Sequence, residues 1–135
     1  MTNIMKKIVV QMLLALILGL GFFAWPAIAS GPESDFDVLL GQWVRPDGGY
    51  TITIKGVDPD GKLDAAYANP RPLPFAQARA SSDDNEIKVF LELRAGGYNG
   101  STYNLTYDAA SDTLRGVYYQ AVAQQNFDIY FERVE

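Results

Sequence analysis

The 135-residue chain contains no cysteine and no histidine. Without cysteine it can form no disulfide, offer no thiolate to a metal and carry no lipid on a processed N-terminal Cys. Without histidine the usual zinc and haem sites lose their commonest ligand. Ser-His-Asp and Cys-His nucleophilic catalysis are excluded with it, as is the side chain best suited to proton transfer near neutral pH. The sequence therefore predicts no metal, no cofactor and no catalytic residue, hence no enzyme.

Cations are scarce too, eleven against sixteen carboxylates, and two of them, Lys6 and Lys7, stand at the very start. An uncharged, largely apolar run from Ile8 to Trp25 follows, then Pro26-Ala27-Ile28-Ala29. A basic start, an apolar middle and small residues one and three before a cut are what signal peptidase reads. Residues 1–29 are expected to be a signal peptide removed after Ala29, which makes the protein exported, periplasmic or extracellular. A transmembrane anchor is the alternative, but no basic stop-transfer residue follows the run. The chain after Ala29 keeps all sixteen carboxylates and nine cations. That balance argues against nucleic acid as a partner and against anionic membrane surfaces once the signal is cut.

Residues 30–36 read as a flexible lead-in, and Asp37-Val38-Leu39-Leu40 as one helical turn. Beyond it no segment has a 3.6-residue apolar period. Period-2 segments recur between turn residues, which is the mark of a barrel or sandwich. Eight strands are expected, at about 41–45, 50–57, 62–68, 75–81, 86–94, 101–107, 113–121 and 126–134. Their inward stripes include Tyr50/Ile52/Ile54, Leu63/Ala65/Tyr67, Ile87/Val89/Leu91/Leu93, Tyr103/Leu105/Tyr107 and Phe127/Ile129/Phe131. A chain this short without disulfides needs efficient burial. The predicted fold is all-β: an eight-stranded antiparallel up-and-down barrel over residues 37–135, a single domain.

The connections fall into two groups. Asp58-Pro59-Asp60-Gly61, Ser82-Asp83-Asp84-Asn85 and Ala109-Ala110-Ser111-Asp112 are tight acidic turns. The others carry Pro46–Gly49, Asn69–Pro74, Ala95–Gly100 and Val122–Gln125. In an up-and-down barrel alternate loops emerge at the same end, so the second group forms one mouth, where recognition belongs. Eight strands enclose room for about one small ligand or for packed side chains. Arg45, Tyr67, Asn69, Arg71, Tyr98, Asn99, Gln120 and Gln124 are the candidate ligand-binding residues. Their rings, amides and guanidinium groups suit a small neutral, aromatic or weakly anionic molecule.

Gly41-Gln42-Trp43, opening the first strand after a helical turn, resembles the GxW signature of the calycins, the superfamily of lipocalins and avidins. The resemblance implies a calycin-like barrel. It also implies that an Arg late in the last strand packs across the Trp, which here matches Arg133 with Trp43 as a structural clasp. The stretch from Leu40 to Tyr67 is most similar to the opening of an avidin. In avidins, polar side chains two and six residues after the Trp hold biotin, with a Tyr in the third strand and a Ser or Thr two residues later. The matching positions are Arg45, Gly49, Tyr67 and Asn69, of which only the Tyr is kept. Trp43 is the sole Trp after residue 29, so the tryptophan walls of a biotin pocket are missing as well.

Asp64, Glu92 and Asp128 are the strand-borne carboxylates that could act as acid and base, but each lies in the phase opposite the apolar stripe and reads as solvent-facing. Asp58-Pro59-Asp60-Gly61 with Asp64 lacks the third ligand and distal Glu of a calcium loop. Asn99-Gly100-Ser101 and Asn104-Leu105-Thr106 are formal glycosylation sequons. The expected outer wall carries Phe90, Val117, Tyr119 and Tyr130, apolar enough to predict a homo-oligomer through this face. Two functions are weighed: a non-catalytic module holding a small ligand at the mouth, or a protein-binding module. Small exported calycin-like barrels that inhibit bacterial metalloproteases also open with a GQW-like strand and present an N-terminal tail. A structural envelope role is the remaining alternative.

Overall fold

A computed structural model describes residues 34–135; the expected signal peptide and residues 30–33 lie outside them. Ser34 caps a 3-10 turn over Asp35–Leu39: its hydroxyl accepts from the Phe36 N–H, and Asp37 returns the favour to the Ser34 N–H. This reciprocal box satisfies two donors that the turn would otherwise leave bare. The end of the expected flexible lead-in, Ser34–Phe36, is thus built into a capped turn, and Phe36 packs against the core.

Nine antiparallel strands follow: β1 Gly41–Val44, β2 Thr51–Val57, β3 Leu63–Asn69, β4 Arg71–Leu73, β5 Phe75–Asp83, β6 Glu86–Leu93, β7 Thr102–Asp108, β8 Thr113–Gln120 and β9 Gln125–Arg133. The sheet order is β4-β3-β2-β1-β9-β8-β7-β6-β5, so the two edge strands are consecutive in sequence. The sheet curls until these edges meet, in a nearly closed barrel. Among the described residues no helix is long and apolar enough to cross a membrane.

The departure from eight expected strands lies at Asn69–Pro74, read from sequence as a loop. Residues 71–73 pair with β3 (Asn69↔Arg71, Tyr67↔Leu73), whereas 75–83 pair with β6. Pro74 separates the two stretches because it has no N–H to give a ladder. Prolines 70, 72 and 74 made a loop the natural reading, but proline is tolerated at a sheet edge. Lower down, β5 meets the turn just before β3 through the Lys62↔Arg79 bridge and the Ala80 N–H to Gly61 carbonyl bond of 2.7 Å. Between these closures the wall is open as a lateral cleft of about 970 Å³, lined by Leu63, Ala65, Phe75 and Ala78 among others.

The inward stripes meet in one core, in which Trp43, Ile52, Tyr67, Leu91, Tyr103, Leu114 and Phe131 are at most 2 % exposed. Period-2 alternation puts these on one face of each strand and leaves Asp64 and Asp128 outside, with Glu92 half-buried in the outer phase. The barrel interior is therefore filled by large side chains. Phe127 departs from its expected inward burial: it keeps the phase of Ile129 and Phe131 but lies at the rim, 44 % exposed. Gly116, paired with Leu105 and Ile129, lets the β7 backbone approach closely, since a Cβ there would overlap the Asn104 carbonyl. Asp84 and Asn85 turn β5 into β6 with φ of 49° and 62°, the two left-handed residues that a tight hairpin requires.

Candidate functional site

The connections β1–β2, β3–β4, β6–β7 and β8–β9 emerge at one end, as the antiparallel order dictates. Inward positions nearest that end are held by aromatic residues: Tyr50 before β2, Tyr67 near the end of β3, Tyr103 near the start of β7 and Tyr118 near the end of β8. Tyr50 stacks on Tyr67 at 6.3 Å, Tyr103 on Tyr118 at 4.6 Å, and Tyr118 on the exposed ring of Phe127 at 6.2 Å.

Arg45 closes this mouth. It follows β1 directly, is only 7 % exposed, and places its guanidinium 4.5 Å from the centroid of Tyr50 and 5.7 Å from that of Tyr118. A buried guanidinium must have its donors met. Asp47 takes two of them, Nε at 2.9 Å and Nη2 at 2.6 Å, and the Tyr103 hydroxyl accepts from Nη1 at 3.2 Å. The Tyr67 and Tyr103 hydroxyls are 3.0 Å apart. Among the described residues no buried side-chain N or O lacks a partner.

Burial opposes the charge on Arg45, but the hydrogen bonds to Asp47 and Tyr103 outweigh it and raise the pKa, so the group stays charged. The hydrogen bonds from Arg45 hold the Asp47 carboxyl below the usual carboxylate range. Burial, and then the neighbouring Tyr103, push Tyr67 upward; burial also raises Tyr103 and Tyr118. At neutral pH this cluster therefore holds the Arg45 cation, the Asp47 carboxylate and the neutral phenols of Tyr67, Tyr103 and Tyr118.

The eight candidate residues do not form one cluster. Arg45 and Tyr67 meet through Tyr103, and Asn69 donates to the Tyr98 hydroxyl at 3.1 Å. Gln120 is committed to its own turn, accepting from the Ala123 N–H at 2.8 Å. Arg71, Asn99 and Gln124 are exposed, Gln124 in a left-handed turn conformation at φ 54°. Sequence reasoning assigned Tyr50 and Tyr103 to the inward stripes as core, and did not single out Asp47, Tyr118 or the fully buried Ser101, whose hydroxyl accepts from the Ala121 N–H. The signal was present in part: inward positions at the strand ends next to the longer loops are tyrosines.

At the other end of β1, the Arg133 guanidinium lies 4.2 Å from the Trp43 ring centroid. Its donors reach the carbonyls of Val38 and Leu40, each at 2.6 Å, and both oxygens of Asp112, at 2.7 and 3.0 Å. The Trp43 indole N–H donates to the Leu39 carbonyl at 2.9 Å, fixing the 3-10 turn over the barrel base. Among the described residues no group of three or more carboxylates is placed to hold a metal ion. Compared with family models, with curated proteins and with solved structures, the chain matches none.

Proposed function

We propose that the protein is an exported, non-catalytic binding protein that holds a small aromatic or weakly anionic ligand at the open end of a calycin-like barrel. In this reading β4 and β5 count as one strand interrupted at Pro74, which restores an eight-stranded plan, and the chain begins at Ser30 after signal cleavage. The observation that carries it is the guanidinium of Arg45, buried between the rings of Tyr50 and Tyr118 yet only one exposed residue, Asp47, away from solvent. Because the interior is filled, the ligand sits on the rim, against Arg45, Tyr50, Phe127 and the Asn69–Tyr98 pair, rather than inside the barrel.

Native mass spectrometry on protein exported with its own leader and purified gently tests this. The expected mass begins at Ser30 and carries a small adduct that is lost in Arg45→Gln. An apo mass, with no thermal shift from a panel of small aromatic acids and amides, would overturn the reading.

A second reading, a protein-binding module working through the wall, is favoured by one observation. Phe90, Asn104, Val117 and Asp128 stand in register across β6 to β9, with Tyr119 and Tyr130 two positions to either side along their strands. Phe90, Val117 and Tyr119 are half-buried and Tyr130 is exposed under the Arg115 guanidinium, 4.9 Å from it. A homo-oligomer in light scattering that Phe90→Asp dissolves would support it; a monomer at all concentrations would remove the self-association part.

A further inference from the structure

Arg45 has two kinds of partner, and they differ in what else holds them. The Tyr103 hydroxyl is buried and tied to Tyr67. Asp47 is not tied down: its side chain is 59 % exposed, and both of its bonds to other side chains go to Arg45. It sits in Pro46–Gly49, outside the sheet, held by the Arg45 N–H to Tyr50 carbonyl bond and the Gly49 N–H to Arg45 carbonyl bond. Gly49 has φ +67°, with nothing within 4 Å of where a Cβ would be, while Gly48 lies against the Tyr50 ring, so the displacement asked of this loop is that of the Asp47 side chain. The two-point contact of Asp47 with Nε and Nη2 is the geometry in which any free carboxylate meets an arginine. At the same rim the Phe127 ring, 44 % exposed and stacked on Tyr118, offers a flat apolar face, whereas Tyr50 is covered by the Arg45 guanidinium and the stacked Tyr67 ring.

Resting on the small-ligand reading above, we propose that the ligand is an aromatic carboxylate, and that Asp47 is a tethered stand-in that occupies its place on Arg45 until the ligand displaces it. The incoming carboxylate takes the Nε/Nη2 edge and its ring lies toward Phe127. Asp47 swings into solvent, and Arg45 is never left without an anion. A tethered competitor acts at an effective concentration of roughly millimolar or above, so it sets a threshold: weak carboxylates are refused.

The test compares benzoate with benzamide, its neutral isostere, by calorimetry on wild type, Asp47→Asn and, as a charge control at the opposite end, Asp84→Asn. Asp47→Asn is expected to bind benzoate at least about tenfold more tightly than wild type, the gain from removing one charged competitor for a two-point contact. Benzamide binding should be the same in all three, and Asp84→Asn should match wild type for both. Equal benzoate affinity in wild type and a folded Asp47→Asn would overturn the proposal, as would an equal gain in Asp84→Asn. Should Asp47→Asn fail to fold, the Arg45 Nε–H resonance of wild type decides: it should shift on titration with benzoate and not with benzamide, and a shift with neither overturns the idea. A neutral adduct in native mass spectrometry that depends on Arg45 would sink the carboxylate and leave the small-ligand reading intact. Loss of that reading shows differently, as an apo protein indifferent to Arg45→Gln.

Discussion

Arg45 and Arg133 stand at the two ends of β1 and are made of the same parts. Each guanidinium lies over an aromatic ring, Tyr50 at 4.5 Å and Trp43 at 4.2 Å, and each grips one carboxylate through Nε and Nη2. What differs is the rest of the shell. Arg133 also donates to the Val38 and Leu40 carbonyls, and its carboxylate, Asp112, accepts from the Tyr107 hydroxyl as well. Asp47 has no such second anchor in a side chain. One ensemble joins three pieces of chain and loses several bonds if any member leaves. The other can exchange a single partner. The same arginine–carboxylate–ring chemistry thus serves as a joint at the base and as an exchangeable contact at the mouth, and the number of independent anchors on the carboxylate decides which.

The widest gap should appear on removing each arginine's joint. Arg133→Ala deletes two bonds to backbone carbonyls, a paired carboxylate and a ring contact, and exposes Trp43 to a loosened 3-10 turn. We expect a loss of about 3 kcal/mol or more, by analogy with broken part-buried charge pairs. In a domain of this size that lowers Tm by more than about 10 °C. Urea denaturation checks it; a loss under about 1 kcal/mol would mean the clasp is only a surface contact. The carboxylates sharpen the contrast. Asp112→Asn should cost more than Asp47→Asn, about 2 against about 1 kcal/mol or less, because the former weakens bonds to both Arg133 and Tyr107. Equal costs would erase the distinction drawn between the two ends.

Much of this architecture was readable from residue order. Alternation placed Ile52, Ile54, Val89, Leu91, Leu105 and Phe131 inside because strand side chains switch faces at every step. Turn residues such as Asp84-Asn85 marked where strands reverse. The Trp43–Arg133 stack followed from a resemblance at three residues and from phase. Other features depend on where strands end in space. Phe127 has an inward phase but lies at the rim, so alternation overstates its burial. Arg71–Leu73 joins the sheet although prolines flank it, because an edge strand needs only half its donors. Of the eight candidate residues at the mouth, Arg45 and Tyr67 come together through Tyr103 in a tyrosine-lined rim, while Arg71, Asn99 and Gln124 stay exposed. The partner that completes the rim, Asp47, lies two residues from Arg45 in a stretch that reads as a turn. Pairing over so short a separation leaves no periodic trace.

Within the mouth, Tyr103→Phe removes the hydroxyl that accepts from Arg45 and touches Tyr67, leaving two buried polar groups each short of a partner. A loss of about 1–2 kcal/mol is expected, with the ring packing on Tyr118 and Phe131 intact. At the base, Tyr107→Phe should cost less, since its partner Asp112 keeps Arg133.

The smallest expected effect is in acid, and its sign follows from the two carboxylates. Arg45 lowers Asp47 and Arg133 lowers Asp112 below the usual range, chiefly by hydrogen bonding. A carboxylate whose folded pKa is depressed contributes stability above its unfolded value, near pH 3.9, and that contribution fades as pH falls through the folded value. Stability should therefore decline below about pH 4, modestly, because both side chains are about half exposed. The decline should be shallower in Asp112→Asn and in Asp47→Asn, each lacking one of the two groups. If the mouth pair is the exchangeable one, a bound aromatic carboxylate should take over the Asp47 part of this slope, because its own carboxylate is then the group held ionised on Arg45. The protein saturated with such a ligand at neutral pH and then acidified would still unfold through Asp112, since nothing at the mouth bears on the joint at the base.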